Sequence, residues 1–166
     1  MVIALTGYMG CGKSTVGRKL SAKLGVPLVD LDAYIVEHQG RSIKEIFASD
    51  GEEAFRRIET ESLREVLTSC DGDLVLSLGG GAPMRQENAA LLKEHATTFY
   101  LRASLETILR HLEHGRDSRP MLQTNDVGAL LEKRAPVYES VADYILDVDS
   151  LNPPSVARDI CVILGR

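Results

Sequence analysis

Val2-Ile-Ala-Leu-Thr6 runs directly into Gly7-Tyr-Met-Gly10-Cys-Gly12-Lys13-Ser14. The first five residues read as a short buried strand. The eight that follow fit G-x-x-x-x-G-K-[ST] at every fixed position. A helical pattern then covers residues 12–24, with Val16, Leu20 and Leu24 on one face at i, i+4 spacing. The residue types follow from the chemistry. Glycines let the backbone curl until successive N–H groups point at phosphate oxygens, and the helix N-terminus adds partial positive charge. Lys13 can reach the β- and γ-phosphates, and the Ser14 hydroxyl can ligate Mg²⁺. A chance glycine-rich turn would not come with the right element on each side. The cradle predicts a bound nucleoside triphosphate without deciding between kinase, GTPase and motor. No Asn-Lys-x-Asp guanine-reading motif occurs, which lowers the GTPase reading. Thr15 reads as a helix residue rather than a metal ligand, and nothing in a phosphate cradle needs the Cys11 thiol.

Outward from the cradle, strands and helices alternate. Leu28–Asp30 is a second strand, followed by a helix over about residues 32–39. Ser42 opens another turn, with Glu45 three residues on as a capping box. Residues 52–69 are the longest helical pattern, with Phe55, Ile58, Leu63, Val66 and Leu67 marking its buried side. Residues 73–78, 97–102 and 144–148 read as the third, fourth and fifth strands. No helix is delineated between the third and fourth. Residues 105–112 and 127–135 read as helices around a polar stretch. A last helix starts after Asn152, with Pro153 or Pro154 in its first turn and a face of Val156, Ile160, Ile163 and Leu164. The first, third, fourth and fifth strands are continuous apolar runs, which suits a parallel sheet covered on both faces. The expectation is a three-layer α/β/α sandwich with ligands outside the carboxyl ends of its strands.

The chain has 166 residues, which argues for one domain. With 44% hydrophobic and 26% charged residues, long disorder is not expected. The net charge of −5 argues against a broad basic face for nucleic acid or an anionic membrane. The absence of Trp leaves little for base stacking. No apolar run approaches the ~18 residues of a membrane span. Met1 leads straight into the first strand without a charged leader, so a cytoplasmic protein is expected. Cys11, Cys70 and Cys161 are odd in number and lack metal-ligand spacing, so they read as reduced thiols.

The acceptor side is sought beside the cradle. Asp30-Leu-Asp32 places two carboxylates at the end of the second strand. Asp30 is a candidate to hold Mg²⁺, directly or through water. Asp32 is a candidate to orient an acceptor hydroxyl and take its proton; it also fits a helix N-cap. Arg56 and Arg57 are adjacent on the long helix, where arginines are commonly solvated. Gly79, Gly80 and Gly81 follow the third strand, either because something approaches the backbone closely or as a plain flexible turn. Gly115-Arg116-Asp-Ser-Arg119-Pro120 reads as a flap whose guanidinium groups close over phosphates, or as an ordinary surface loop. Arg134 stands near a helix end, where a base often complements the dipole. His111 and His114 are spaced i, i+3, with no third metal ligand nearby. His38 and His95 read as exposed helix-end residues.

Taken in order, these pieces resemble the shikimate kinase family. The likeness covers essentially the whole chain. It rests on Gly7 to Ser14, Asp30-Leu-Asp32, Phe55-Arg56 with Glu59, Gly79 to Gly81, Arg119-Pro120-Met-Leu, and Arg134 with Tyr138. The resemblance implies a P-loop NTPase-like fold with a five-stranded parallel sheet in the order 2-3-1-4-5. It implies one kinase domain over residues 1–166, with a substrate-binding segment at about 32–60 and a lid at about 112–124. The implied reaction is ATP-dependent phosphorylation of the 3-hydroxyl of shikimate, a step towards chorismate and the aromatic amino acids. Arg56 and Arg134 would take the substrate carboxylate, since a planar guanidinium matches it bidentately. Asp32 would serve the ring hydroxyls and acceptor activation, and Gly79, Gly80 and Gly81 backbone contacts with substrate. Lys13 and Arg119 would act on the transferring phosphoryl group. ATP would be held by Gly10, Cys11, Gly12, Lys13, Ser14, Thr15, Arg119 and Pro153, and Mg²⁺ by Ser14 and Asp30. The spacing before Arg119-Pro120 is slightly irregular, so an adenine-stacking role falls to Arg110, to Arg116, or to neither. Leu151 stands where some relatives carry a base. The expected partners are shikimate and ATP alone, for a monomer.

Overall fold

The computed structural model describes residues 1–113 and 124–166. Every residue of β1 (Val2–Thr6) is buried. Side chains alternate across a strand, so Ile3 and Leu5 enter one core while Val2 and Ala4 enter another. The first core is completed by Val16 and Leu20 of α1 (Lys13–Leu24) and by Val156, Ala157, Ile160 and Cys161 of α8 (Pro153–Ile163). The second takes Leu31 and Ile35 from α2 (Leu31–Gln39), Phe55, Leu63, Val66 and Leu67 from α4 (Glu52–Thr68), and Leu92 from α5 (Gln86–His95). Helices on both faces of the sheet give the three layers that the sequence pattern predicts.

The sheet is parallel and its order is β2-β3-β1-β4-β5, with β2 at Leu28–Asp30, β3 at Leu74–Ser77, β4 at Ala96–Arg102 and β5 at Tyr144–Asp147. Asp30 pairs with Ser77, and Ser77 with Leu5. Three strands therefore end side by side, and the loops that leave them share one edge. One strand departs from expectation. β5 is not covered on both faces: Tyr144 and Ile145 are exposed, because among the described residues β5 is the edge strand and pairs only with β4.

Helix starts follow cap chemistry. Side-chain oxygens of Asp30, Ser42 and Asn152 accept from Ala33 N at 3.1 Å, Glu45 N at 3.1 Å and Ser155 N at 2.9 Å, opening α2, α3 (Ile43–Asp50) and α8. Asp30 is thus the cap of α2, and Asp32 lies inside its first turn. Two helices differ from the sequence reading. α5, preceded by a 3₁₀ turn at Ala82–Met84, was not delineated; only Asn88 and Leu92 are fully buried, too sparse a pattern to show periodicity. α7 (Thr124–Val141) runs through Pro136 instead of stopping before it. Burial of Tyr138 and Val141 beyond the proline offsets the lost i→i−4 hydrogen bond. In α8 the inward position falls to Cys161, while Ile163 is exposed. All three cysteines are free.

Leu20 is fully buried where α1 packs against α8 and the sheet. Leu20→Ala is expected to cost about 2–5 kcal/mol, seen as a lower urea midpoint with an unchanged slope. An unchanged midpoint would show that the seating of α1 does not depend on this core.

Candidate active site

Unlike α2, α3 and α8, α1 begins without a side-chain cap. Its N-cap is Gly12 at φ +92°, a left-handed conformation that a β-carbon disfavours, and its first turn holds no acid. The N–H groups of that turn and the positive end of the helix dipole are left for an anion. The loop before it is closed by Cys11 N donating to Tyr8 O at 3.2 Å. Lys13 Nζ bends back over the loop, donating to Gly7 O at 2.5 Å and Tyr8 O at 3.1 Å. Carbonyl oxygens thus hold the ammonium beside the cradle. α6 (Leu105–Glu113) braces the loop from the other side. Ile108 O and Leu112 Cγ each lie 3.2 Å from where a β-carbon at Gly10 would stand, and His111 Nδ1 is 2.7 Å from Gly10 O.

Asp32 is half-buried in the first turn of α2. Burial pushes its carboxyl above the usual range, with a smaller push from Asp30, while Lys13 and Arg56 pull it down. Arg56 projects from α4 and donates to Glu59 Oε1 at 2.9 Å; its other nitrogen lies 3.7 Å from Glu52 Oε1. Glu59 is 1% exposed, and burial raises its carboxyl against the pull of Arg56. A buried carboxylate under a guanidinium fixes its direction. Arg134 projects from α7, and its guanidinium carbon lies 5.8 Å from the centre of the Tyr8 ring. The Tyr138 hydroxyl, one turn on, donates to Gly80 O at 2.6 Å.

A cavity of about 1240 Å³ joins these groups. Its lining brings together Gly10, Cys11, Gly12, Lys13, Ser14, Thr15, Asp30, Asp32, Arg56, Gly79, Gly80, Gly81, Arg134 and Pro153. Arg119, Arg116, Pro120 and His114 lie outside the described residues. Arg57 and Arg110 are exposed and do not line the cavity. Sequence reasoning left the site contributions of four residues unread. His111 was weighed only as a metal ligand, although it shares a helix face with Ile108 and Leu112. Glu59 stands among the buried positions of α4, where an acid has no reason to be unless it meets a cation. Lys44 and Phe47 of α3 also line the cavity, at exposed positions that patterning does not mark.

A loop and helix N-terminus suited to phosphate, facing two guanidinium groups suited to a small anion, make the arrangement of a P-loop small-molecule kinase. A family model described as shikimate kinase matches residues 9–164. A shikimate kinase of Dictyoglomus turgidum is 40% identical over 162 residues, covering 95% of this chain and 94% of that one. A shikimate kinase of Mycobacterium tuberculosis is 45% identical over 160 residues, covering 94% and 89%. The structure of shikimate kinase from Acinetobacter baumannii in complex with shikimate superposes with a TM-score of 0.90 at 35% identity, covering 99% and 93%. The chain belongs to the shikimate kinase family and, with it, is an ATP-dependent kinase.

The raised Asp32 carboxyl has a measurable consequence. A carboxylate whose folded value exceeds its unfolded one costs native stability wherever it is ionised, and the cost fades as pH falls through the raised value. Asp32→Asn is expected to melt at or above the parent at neutral pH, with the gap closing as pH falls. Calorimetry at several pH values checks this; a variant that melts lower throughout would make Asp32 a structural residue.

Proposed function

We propose that the chain transfers the γ-phosphoryl group of ATP to the 3-hydroxyl of shikimate, giving ADP and shikimate 3-phosphate. One observation carries the division of labour. A single cavity joins the uncapped N-terminus of α1, with Lys13 over it, to a half-buried carboxylate with Arg56 beside it and Arg134 in the same lining. The acceptor oxygen forms a bond to the γ-phosphorus, the bond from that phosphorus to the β,γ-bridging oxygen breaks, and Asp32 takes the hydroxyl proton. The raised carboxyl makes Asp32 a better proton acceptor than an exposed aspartate. Arg56 and Arg134 hold the carboxylate of shikimate and so aim the hydroxyl in line with the phosphoryl group. Lys13 leaves the loop carbonyls for the β- and γ-phosphates and meets the charge that develops in transfer. Arg119 is given the same charge on the family resemblance alone. Leu151 and Pro153 line the cavity before and at the start of α8 and offer an apolar contact for adenine.

Mg²⁺ fits the donors present. The Ser14 hydroxyl and the Asp30 carboxylate are hard oxygen ligands in the cavity lining, and the Asp30 cap bond uses only Oδ1. Among the described residues, no group of three or more His, Cys, Asp and Glu side chains is placed to cage a metal. That suits a cation that shares phosphate oxygens and keeps much of its water. Bound there, it neutralises phosphate charge. Among the described residues no helix is long and apolar enough to cross a membrane. We also propose a cytoplasmic monomer without a nucleic-acid partner, supported by the acidic balance and by one chain supplying both halves of the cavity.

ADP release measured with ATP, Mg²⁺ and shikimate, beside gluconate and no-acceptor controls, tests the reading. Turnover is expected with shikimate alone; equal turnover with gluconate overturns the acceptor assignment. Arg134→Ala should raise KM for shikimate about 30-fold, the cost of one charge-assisted hydrogen bond, and an unchanged KM removes Arg134 from the site. Asp32→Asn should collapse kcat while ATP still binds; near-normal kcat leaves the proton to another group.

A further inference from the structure

Glycine usually stands where the backbone needs a positive φ. Gly79, Gly80 and Gly81 do not: none has a positive φ, and Gly81 sits at φ −91°, ψ −9°, open to any residue. Their lack of a side chain therefore needs another reason, and the space around them supplies it. A β-carbon on Gly79 would lie 2.9 Å from Asp32 Oδ1. On Gly80 it would lie 3.2 Å from Arg134 Nη1 and 3.4 Å from the Tyr138 hydroxyl. On Gly81 it would lie 2.6 Å from both Arg56 Nη1 and Nη2. Three consecutive glycines thus face three different side chains, each assigned above to the acceptor.

We propose that Gly79, Gly80 and Gly81 are positioning residues, each vacating the seat of one acceptor-site side chain: Asp32, Arg134 and Arg56 in turn. The inference rests on the roles proposed for those three side chains but makes a separate claim. The triplet acts through them, whatever its backbone also does toward substrate. The backbone of the triplet is itself held by hydrogen bonds. Tyr138 donates to Gly80 O, Ala82 N donates to Gly79 O at 3.1 Å, and Met84 N donates to Gly81 O at 3.2 Å. With the backbone fixed, an added methyl must displace the side-chain tip. The nearest atoms at Gly79 and Gly81 are tips of flexible side chains rather than backbone, so such variants keep the fold and lose the aim.

The distances set the order of effects. Gly81→Ala should raise KM for shikimate about tenfold, as expected for a misdirected charge-assisted hydrogen bond, with kcat and KM for ATP little changed. Gly79→Ala should lower kcat on the order of 10- to 100-fold, because a misplaced proton acceptor costs rate, with KM for ATP unchanged. Gly80→Ala should be the mildest. Two further readings separate seat from backbone contact. In an Arg56→Ala background, Gly81→Ala should add nothing; a full additional rise in KM there means the glycine serves substrate directly and overturns the proposal. The Arg56 Nε resonance, assigned by its loss in Arg56→Lys, should move in Gly81→Ala and stay in place in Gly79→Ala. A resonance that stays in Gly81→Ala overturns the seat whatever the kinetics show. Should Arg56→Ala leave KM unchanged, the carboxylate role fails, and the resonance alone decides the seat.

Discussion

Asp30 pairs with Ser77 and Ser77 with Leu5, and β1 ends one residue on at Thr6, so β2, β3 and β1 finish side by side. Parallel pairing points their carboxyl ends the same way, because each strand starts from the same end of the sheet. Much of the proposed site hangs from that line of strand ends. β1 leaves it into the phosphate loop and α1, β2 into Asp30 and Asp32, and β3 into the glycine triplet. Arg56 and Arg134 arrive from α4 and α7, which pack beside the sheet and reach over its edge. No loop has to travel far, and each chemical group is anchored within a few residues of a buried element.

The cost of gathering charge in one place is visible in the carboxylates. Asp32 and Glu59 are both pushed up by burial and pulled down by neighbouring cations, with burial the larger effect for each. Arg56 serves as partner to Glu59 and neighbour to Asp32, so its guanidinium is fixed by a charge that does no chemistry. Lys13 donates to loop carbonyls, the place that the proposed mechanism gives to phosphate oxygens. Charges held by neighbouring charges and carbonyls in this way are what electrostatic stabilisation of a transition state requires.

Much of this was legible along the chain because it is local. The cradle, the Ser42 cap and the apolar face of α4 are each decided by residues within one or two turns of each other. The strand order came from resemblance, since nothing local says which strand lies beside which. What escaped was set by tertiary contact. Asp30 rather than Asp32 caps α2, a choice of one oxygen made by where β2 ends. α7 continues past Pro136 because Tyr138 finds a buried seat beside Tyr100 at 5.1 Å, which no helix propensity foretells. His111 meets Gly10 across 101 residues of sequence. The glycine triplet was legible only as a place of close approach or a plain turn; that added side chains there would meet Asp32, Arg134 and Arg56 is set by tertiary contact.

α3 stands apart from this crowding. Its only fully buried residue is Ile46, while Lys44 and Phe47 reach the cavity from exposed positions. A lineage drifting towards another small acid has room to vary there one residue at a time. At the triplet the room is smaller, since a side chain there meets Asp32, Arg134 or Arg56. Acceptor preference in this scaffold is therefore evolvable from the α3 wall and constrained at the sheet edge.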